Sequence, residues 1–372
     1  MPTATLRPVK WCLAPVALLA LALALALALA AGAAVAADVQ QARQLATFNA
    51  VDISGPYTVL IEAGGAQAVQ LSGDADQLDD VSTTVRNQTL VVRPRRSLSS
   101  YLPFGKNDAG ITLRLRVPGL RRVDSGGSGQ VVLSALRGGA LELALTGSGD
   151  LRASGAVASL NLQAQGSGNA DLGTLQSTAA DVQLRGSGDV TLAGIRGQLR
   201  AELRGSGALL VSGMQAAGVA LTMHGSGDTT LGGSASTLNV DMDGAGQLLA
   251  CGLMADRVSL LLRGSGDACV AGTIRQFDAE LRGSGNLRAS GLAAPLMRAR
   301  LGGSGDMRLA GSGGTLVADL TGSGNLEAGD LLLRQTDVRV RGSGEARVNT
   351  RARDGGPAQP MRIDRNGAHA DD

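Results

Sequence analysis

The sequence predicts an all-β solenoid, a single-stranded parallel β-helix of about 12 coils, each of about 19–20 residues. Two observations support this prediction: a Gly-Ser-Gly motif of fixed period, and a regular alternation of apolar and polar residues around it. Twelve such motifs, one of them Gly-Ala-Gly, form a series whose spacing alternates without exception between 20 residues, as from 127 to 147, and 19 residues, as from 147 to 166. A constant period of about 20 residues is typical of a solenoid, in which each repeat packs only against its neighbours. The first glycines of the motifs are Gly127, Gly147, Gly166, Gly186, Gly205, Gly225, Gly244, Gly264, Gly283, Gly303, Gly322 and Gly342.

Strands are predicted on both sides of each motif. Apolar residues stand two, four and six positions before the first glycine, as in Leu141, Leu143 and Leu145, and mostly polar residues lie between them. The alternation resumes after the motif, and a second glycine such as Gly155 usually follows. Alternation with a period of two predicts half-buried strands, and glycine accepts the positive φ that a tight corner requires. Each coil is therefore predicted to contain a strand, a Gly-Ser-Gly corner, a second strand, a glycine turn and a short third side.

The position directly after each motif alternates between acidic and non-acidic residues. It reads Gln130, Asp150, Asn169, Asp189, Ala208, Asp228, Gln247, Asp267, Asn286, Asp306, Asn325 and Glu345. Carboxylates about 4.8 Å apart on successive coils would repel each other by on the order of 1–3 kcal/mol, and skipping a coil at least halves this repulsion. The Asn and Gln residues between them can form amide ladders. Duplication of an ancestor with two coils explains the same pattern, so both interpretations stay open.

A β-propeller, in which one pair of coils would correspond to one blade, is the competing architecture. The shorter period of about 19 or 20 residues weighs against a propeller, because the structure of a four-stranded blade does not require its two halves to be nearly identical in sequence. Composition agrees with repetitive β structure rather than with disorder. Aromatic residues make up only 2% of the chain, and 54 glycines are accompanied by only 10 prolines.

Residues 1–37 have the pattern of an export signal. Arg7 and Lys10 form a basic n-region, residues 13–31 are an almost pure Leu/Ala run, and the Ala-Val-Ala triplet at 34–36 suits a signal peptidase. Cleavage after this triplet is therefore expected. An uncleaved membrane anchor is the alternative, because the apolar run is long enough to span a bilayer.

The mature chain is predicted to have three parts. Residues 38–125 form an atypical β part with strand-like runs, turn signals and a loop at 97–109. Residues 126–349 are the regular Gly-Ser-Gly repeats. Residues 350–372 are polar, contain Pro and Gly, and are expected to be a disordered tail. Terminal segments that differ from the internal repeats are expected of a solenoid.

Charge argues against a nucleic-acid partner. Loss of the signal removes Arg7 and Lys10 and no acidic residue, so the net formal charge falls from +2 to 0. A neutral chain has no overall attraction to nucleic acid. If the signal is cleaved, the mature chain is also expected to contain no transmembrane segment.

Two cysteines, Cys251 and Cys269, belong to the mature chain. In the coil register they lie on adjacent coils but two positions out of line, which puts their Cα atoms about 8 Å apart and beyond comfortable disulfide reach. Whether they are bonded is left open. Zinc is not expected, since no paired Cys or His motif accompanies them.

Four arginines form a candidate anion patch. Each stands directly before a motif, and they form two pairs on adjacent coils, which could present guanidinium groups to an anionic glycan or lipid headgroup. The alternative is a solvated face balanced by acidic residues, including Glu202 and Glu280 two positions earlier. The four residues are Arg185, Arg204, Arg263 and Arg282; Arg341 occupies the same position in a later repeat.

The aspartates after the motifs could supply the carboxylates of a polysaccharide lyase or hydrolase. They recur at equal intervals, however, whereas a catalytic site is normally a local break in a repeat, and Phe277 is the only aromatic residue in the repeats. Calcium is a further candidate, but one carboxylate for every two coils is sparse for a cation that takes six or more oxygens. His224 and His369 have no local partners for a catalytic triad.

The start of the β part resembles a known family. The segments FNAVDISGPYTV at 48–59 and VPGL at 117–120, followed by Val123 and the first Gly-Ser-Gly motif, are similar to the head GIN domain family of autotransporter adhesins, a domain of unknown function. The resemblance covers about residues 45–345. It implies an exported bacterial protein with a right-handed β-helix, and the family name implies adhesion. It brings no catalytic residues and no cofactor.

We therefore expect a non-enzymatic, exported β-helix interaction protein that is adhesin-like and located in the cell envelope, either in the periplasm or at the outer surface. No catalytic, cofactor or metal site is expected. The partner is unknown, and a cell-surface glycan or an envelope component is the class expected. A carbohydrate-active β-helix of the lyase or hydrolase kind is the second interpretation.

Overall fold

In the computed structural model of the chain, residues 39–95, 110–351 and 358–370 are described. The export signal predicted at 1–37 lies outside these residues, as does the loop predicted at 97–109. The chain divides into a first unit, Met1–Val39, of which only Val39 is described, and a second unit, Gln40–Asp372.

The predicted solenoid is confirmed: stacked parallel coils form about 11 turns, against the 12 coils expected, with 75% strand and 1% helix. The elements before the regular repeats are β1 (Val39–Ala42), β2 (Ala50–Ser54), β3 (Thr58–Glu62), β4 (Ala68–Gly73), α1 (Ala75–Leu78), β5 (Val81–Arg86), β6 (Thr89–Pro94), β7 (Thr112–Arg116) and β8 (Arg122–Gly127). The repeats contain β9 (Gln130–Gly147), β10 (Leu151–Gly166), β11 (Ala170–Gly186), β12 (Val190–Ala193), β13 (Ile195–Gly205), β14 (Leu209–Ala216), β15 (Gly218–Gly225), β16 (Thr229–Gly244), β17 (Leu248–Gly264), β18 (Ala268–Ala271), β19 (Gln276–Gly283), β20 (Leu287–Leu292), β21 (Leu296–Gly303), β22 (Met307–Gly322), β23 (Leu326–Gly342) and β24 (Ala346–Arg351). Two further strands follow, β25 (Ala358–Asp364) and β26 (Gly367–Ala370).

The stack begins before the first Gly-Ser-Gly motif. Strands β2 and β3 are joined by a corner at Gly55-Pro56-Tyr57, and they pair in parallel with β8 and β9. On their other edges β2 and β3 pair in parallel with β6 and β7, which in turn pair with the antiparallel strands β5 and β4. The atypical β part is thus the first coil of the stack together with the strands that cover its end.

Within the stack, each residue lies beside its counterpart in the next coil. Leu160, for example, pairs with Leu141 on one side and with Ala180 on the other. Because side chains alternate between the two faces of a strand, this register lines up the apolar positions as columns inside the coils. The buried residues form one cluster that extends from Phe48 to Val348. The predicted core position of Phe277 is confirmed, since only 1% of the residue is exposed.

The corners leave no room for a side chain on either glycine. From Gly127 to Gly322 the first glycine has positive φ, for example 133° at Gly186, a conformation that favours glycine. The third residue, such as Gly188, does not have this φ, but a Cβ there would overlap the carbonyl group of Gly168 in the preceding coil, with the carbonyl carbon at 2.9 Å. The middle residue points outward: Ser187 is exposed, and Ala245 takes the equivalent place in the Gly-Ala-Gly motif. The motif is therefore required by the close approach of successive backbones as well as by φ.

Backbone hydrogen bonds join these corners from coil to coil. The carbonyl oxygen of Gly147 accepts the N–H groups of Ser167 and Gly168, at 2.9 and 3.2 Å. The same two-donor arrangement recurs from Gly127 to Gly322. An unbonded N–H or C=O group in a buried corner would cost free energy comparable to a lost hydrogen bond, so the short spacing between corners also satisfies the backbone.

Cys251 and Cys269 form a disulfide, and their Cα atoms are 5.3 Å apart, closer than the regular coil register predicts. Cys269 pairs with Leu249, as that register requires. The ladder then breaks after Ala250, and the next paired residue of β17 is Met254. Residues that bulge from a strand bend it, and this bend brings Cys251 within the range of Cα separations that a disulfide spans.

The C-terminal segment differs from the disordered tail expected at 350–372. Residues 358–370 form β25 and β26, with β25 antiparallel to β24 and β26 antiparallel to β25. Met361 and Ile363 of β25 are partly buried against the core. These two apolar positions alternate within an otherwise polar segment, and they cover part of the last coil, whose apolar face has no further coil to pack against.

Replacement of Gly188 by Ala is expected to lower the free energy of unfolding by about 2 kcal/mol or more, because the new Cβ forces the corner away from Gly168. Chemical denaturation followed by circular dichroism measures the change. The matched control is Ser187→Ala, which alters the exposed middle position of the same corner and should leave stability nearly unchanged. Equal losses in the two variants would contradict the steric explanation.

Thr229 lies within an apolar column between Leu209 and Leu248, is 0% exposed, and its Oγ1 atom has no hydrogen-bond partner among the described residues. Thr229→Val is therefore expected to raise the free energy of unfolding by about 1 kcal/mol, because a methyl group replaces a buried hydroxyl that has no partner. Thr230→Val, at the half-exposed neighbouring position, is the control and should change stability by less than about 0.5 kcal/mol. A destabilised Thr229→Val protein would show that the hydroxyl has a favourable partner after all.

Candidate functional site

The four arginines of the predicted anion patch lie in one column on the strands that precede the corners. Arg185 is the register partner of Arg204, and Arg263 is the register partner of Arg282. His224 and Asp243 lie between the two pairs, so six consecutive coils contribute to the column: Arg185, Arg204, His224, Asp243, Arg263 and Arg282. The structure thus brings each pair together and separates the pairs by two coils.

Three of these arginines have acidic partners nearby. Arg204 lies 2.6 Å from Glu202, Arg263 lies 3.3 Å from Asp241, and Arg282 is ion-paired with Glu280. Arg185 makes no ion pair with any residue that the structure describes. Exposed pairs of this kind contribute little to stability, but they reduce the positive charge that the column presents to a ligand.

The residues after the corners form a hydrogen-bonded ladder. The Oδ1 atom of each Asp or Asn at this position accepts the backbone N–H of the equivalent residue in the next coil, with N···O distances of 2.8–3.2 Å. The acceptors are Asp150, Asn169, Asp189, Asp228, Asp267, Asn286, Asp306 and Asn325. The bond explains why Asp and Asn share this position, since both place an oxygen at the same distance from the backbone. One oxygen of each carboxylate that a catalytic or calcium site would need is therefore bound to the protein itself.

A groove runs along the outer side of the strands that follow the corners, and its volume is about 420 Å³. One wall is the ladder segment from Gln247 through Asp267 and Asn286 to Asp306. The other wall lies two positions later on the same strands and consists of Leu249, Cys269, Arg288 and Arg308, with Glu327 at the end. The residues between the two walls point inward and form the floor, because side chains alternate along a strand.

Arg288 and Arg308 lie side by side in this groove. They are register partners on adjacent coils, both are exposed, and neither has an ion pair or a side-chain hydrogen bond to the part of the chain that the structure describes. Glu327, the next residue of the column, lies 4.0 Å from Arg347 on its far side. Both arginines line the groove, so it contains two guanidinium groups that have no acidic partner among the described residues.

An arginine elsewhere in the same column shows the contrasting situation. Arg152 lies 3.0 Å from Asp171 on the adjacent coil, and the N–H of Gly173 donates to the same carboxylate at 3.2 Å. The hydrogen bond from Arg152, and then that from Gly173, lowers the pKa of the Asp171 carboxyl below its ordinary value. The Asp171 carboxylate therefore stays charged and paired with Arg152, whereas Arg288 and Arg308 have no such partner among the described residues.

Reasoning from the sequence missed Arg288 and Arg308. Both stand five positions after the first glycine of their motifs, a column that also contains Arg152 and Arg347, so its periodicity could have been found. The absence of acidic partners within the described residues depends on which coils are adjacent and on which side chains reach each other. Among the described residues, no cluster of three or more His, Cys, Asp or Glu side chains could hold a metal ion. No helix in the described part of the chain is long and apolar enough to cross a membrane.

Coils in register that present exposed columns define the class of this protein as a β-solenoid. The sequence matches the family described as "Putative auto-transporter adhesin, head GIN domain" over residues 47–214, 197–293 and 270–353. These matches together span most of the chain, so the chain belongs to this family and the resemblance found in the sequence is confirmed. No curated protein matches the sequence significantly.

Several solved structures are similar to this chain. A "putative lipid binding protein" from Parabacteroides distasonis has 14% identity and a TM-score of 0.33, and the match covers 83% of this chain and 95% of that chain. A "putative adhesin" from Bacteroides fragilis has 15% identity and a TM-score of 0.25, with 78% and 96% covered. A "putative adhesin" from Parabacteroides distasonis has 16% identity and a TM-score of 0.35, again with 78% and 96% covered. All three TM-scores are below 0.5, so membership of the family depends on the sequence match.

Asp189 offers a test of the ladder. Asp189→Ala removes the acceptor of the Ala208 N–H at 2.9 Å and is expected to lower the free energy of unfolding by about 1 kcal/mol. Asp189→Asn is the matched control: Asn169 makes the same bond with an amide oxygen, so this variant should retain most of the stability. Chemical denaturation measures both. Equal losses in the two variants would indicate that the charge of Asp189 matters and the hydrogen bond does not.

Proposed function

We propose that this protein is an exported, non-enzymatic interaction module of the bacterial cell envelope, adhesin-like, which binds an envelope or cell-surface component with the exposed columns of its coils. The observation that carries the proposal is the register. Each outward position recurs at the same place in successive coils, so the exposed faces present repeated groups about 4.8 Å apart. Membership of a family named for adhesins supports an interaction function.

The disulfide supports export. A bond between Cys251 and Cys269, of which Cys251 is exposed, persists in oxidising compartments and is rare in the cytosol, where thiols are kept reduced. The periplasm and the outer surface are both oxidising enough to preserve it. The predicted signal at residues 1–37 would direct the chain there.

The hydrogen-bonded ladder favours binding over catalysis. A lyase or hydrolase needs carboxylates that are free to exchange protons or to attack substrate. Here each aspartate of the ladder accepts a hydrogen bond from a backbone N–H of the next coil. These aspartates are Asp150, Asp189, Asp228, Asp267 and Asp306. The same hydrogen bond recurs in successive coils, so it is suited to stabilising the stack. No single aspartate differs from the others in a way that would give it a distinct reactivity.

The test uses the full chain, produced in a bacterium with residues 1–37 in place and recovered from the periplasmic or surface fraction. The recovered protein is expected to lack the signal, to contain the Cys251–Cys269 disulfide by mass spectrometry, and to bind at least one class of probe on a glycan array or on phospholipid vesicles. The same glycans are assayed for new reducing ends or unsaturated products. Cytosolic retention with free thiols, or cleavage of a bound glycan, would contradict the proposal.

A further inference from the structure

We propose, on the basis of the interaction function proposed above, that the groove between the ladder and Arg288–Arg308 binds an acidic oligosaccharide. In this groove, cations without described partners and hydrogen-bonding side chains line a common concavity, and the two cations are register partners on adjacent coils. The side chains of its two walls carry different chemical groups, and these groups determine which class of ligand can bind between the walls.

The arginine wall selects for anionic groups. Arg288 and Arg308 are register partners, so their Cα atoms are about 4.8 Å apart, and neither guanidinium group is satisfied by a described residue. A guanidinium group binds carboxylate or sulfate through two parallel N–H donors, which a single ammonium group cannot reproduce. Two anionic groups on neighbouring units of a ligand can therefore each meet one arginine.

The ladder wall selects for hydroxyl groups. The Oδ1 atom of Asp267 accepts the backbone N–H of Asn286, and that of Asp306 accepts the N–H of Asn325, which leaves each Oδ2 atom without a hydrogen bond to a described residue. Together with Glu327 they make three carboxylates against two arginines in the groove. These carboxylates repel every anionic ligand, an acidic sugar included, but the hydroxyl groups of a sugar offset this repulsion by donating hydrogen bonds to them. The anionic groups of an acidic peptide or a phosphate monoester bring no such hydroxyl donors.

The length of the groove suits a polymer. The ladder wall extends over four coils, from Gln247 to Asp306, a length of about 14 Å, and two adjacent coils of the four carry Arg288 and Arg308. A chain of acidic sugars carries hydroxyl donors and an anionic group in every unit, so two neighbouring units can make the same contacts with the two adjacent coils that carry Arg288 and Arg308. The exposed side chain of Leu249, which is 45% exposed at one end, offers an apolar surface to a sugar ring.

Isothermal titration calorimetry with tetragalacturonate at low ionic strength tests this assignment on the full exported chain. The wild-type protein is expected to bind, and Arg288→Ala/Arg308→Ala to weaken binding about 100-fold, about tenfold for each arginine, because each loses a charge-assisted hydrogen bond. Neither arginine has a described partner, so thermal stability should not change. Arg152→Ala, in the same column but paired with Asp171 outside the groove, is the matched control and should bind like wild type.

The comparison ligands separate the alternatives. Methyl-esterified tetragalacturonate lacks the anionic groups, tetraglutamate lacks the hydroxyl groups, and phosphatidylglycerol vesicles present a lipid headgroup; each is expected to bind at least about tenfold more weakly than tetragalacturonate. Equal or tighter binding of any one of them would overturn the assignment to an acidic sugar. If Arg263→Ala/Arg282→Ala abolishes binding and Arg288→Ala/Arg308→Ala does not, the column before the corners is the site and the groove is not.

The two proposals fail separately. Failure of tetragalacturonate to bind the wild-type chain at millimolar concentration overturns the groove assignment. If another glycan or a vesicle then binds in the broader screen, the interaction function still stands. If no probe binds in either experiment, both proposals are overturned.

Discussion

The approach of one corner to the next is the constraint on which the rest of the structure depends. At Gly188 there is no space for a single methyl group, since the backbone of Gly168 occupies it, and the equivalent glycines are equally close in the other coils. This contact fixes the spacing between coils, and the spacing aligns the apolar columns, the paired backbone groups and the outward ladder. One tight backbone contact, repeated at each corner, thus determines both the interior and the exposed faces.

Most of the fold could be predicted because it is periodic. The alternation around Leu141, Leu143 and Leu145 gives the direction of each side chain, and the fixed interval between motifs gives the register. The exceptions are local breaks in that period. Gly55-Pro56-Tyr57 forms a corner without the motif, the bulge after Ala250 brings Cys251 to Cys269, and Met361 and Ile363 continue the sheet in antiparallel hydrogen bonding. Each depends on tertiary pairing that a repeat search does not detect.

The charge of the exposed arginine columns was less predictable from the sequence than the fold. Arg204, Arg263 and Arg282 satisfy the simple rule that arginine stands before the corner, yet acidic neighbours reduce the charge that they present. Arg288 and Arg308 follow a different periodicity, and no acidic group among the described residues forms an ion pair with them. The local charge balance depends on which acidic and basic side chains of adjacent coils lie close together, and a count of arginines in the sequence does not give this geometry.

The antiparallel pairing of β25 with β24 makes the C-terminal end of the stack different from its interior. Every internal coil presents the same kind of backbone edge to the coils on both sides of it, whereas this hairpin pairs with β24 in antiparallel order. Duplication or deletion of whole coils in the interior would therefore leave both terminal structures intact. The number of coils can change during evolution independently of the fold, and a change of one pair of coils would keep the acidic and amide positions in phase.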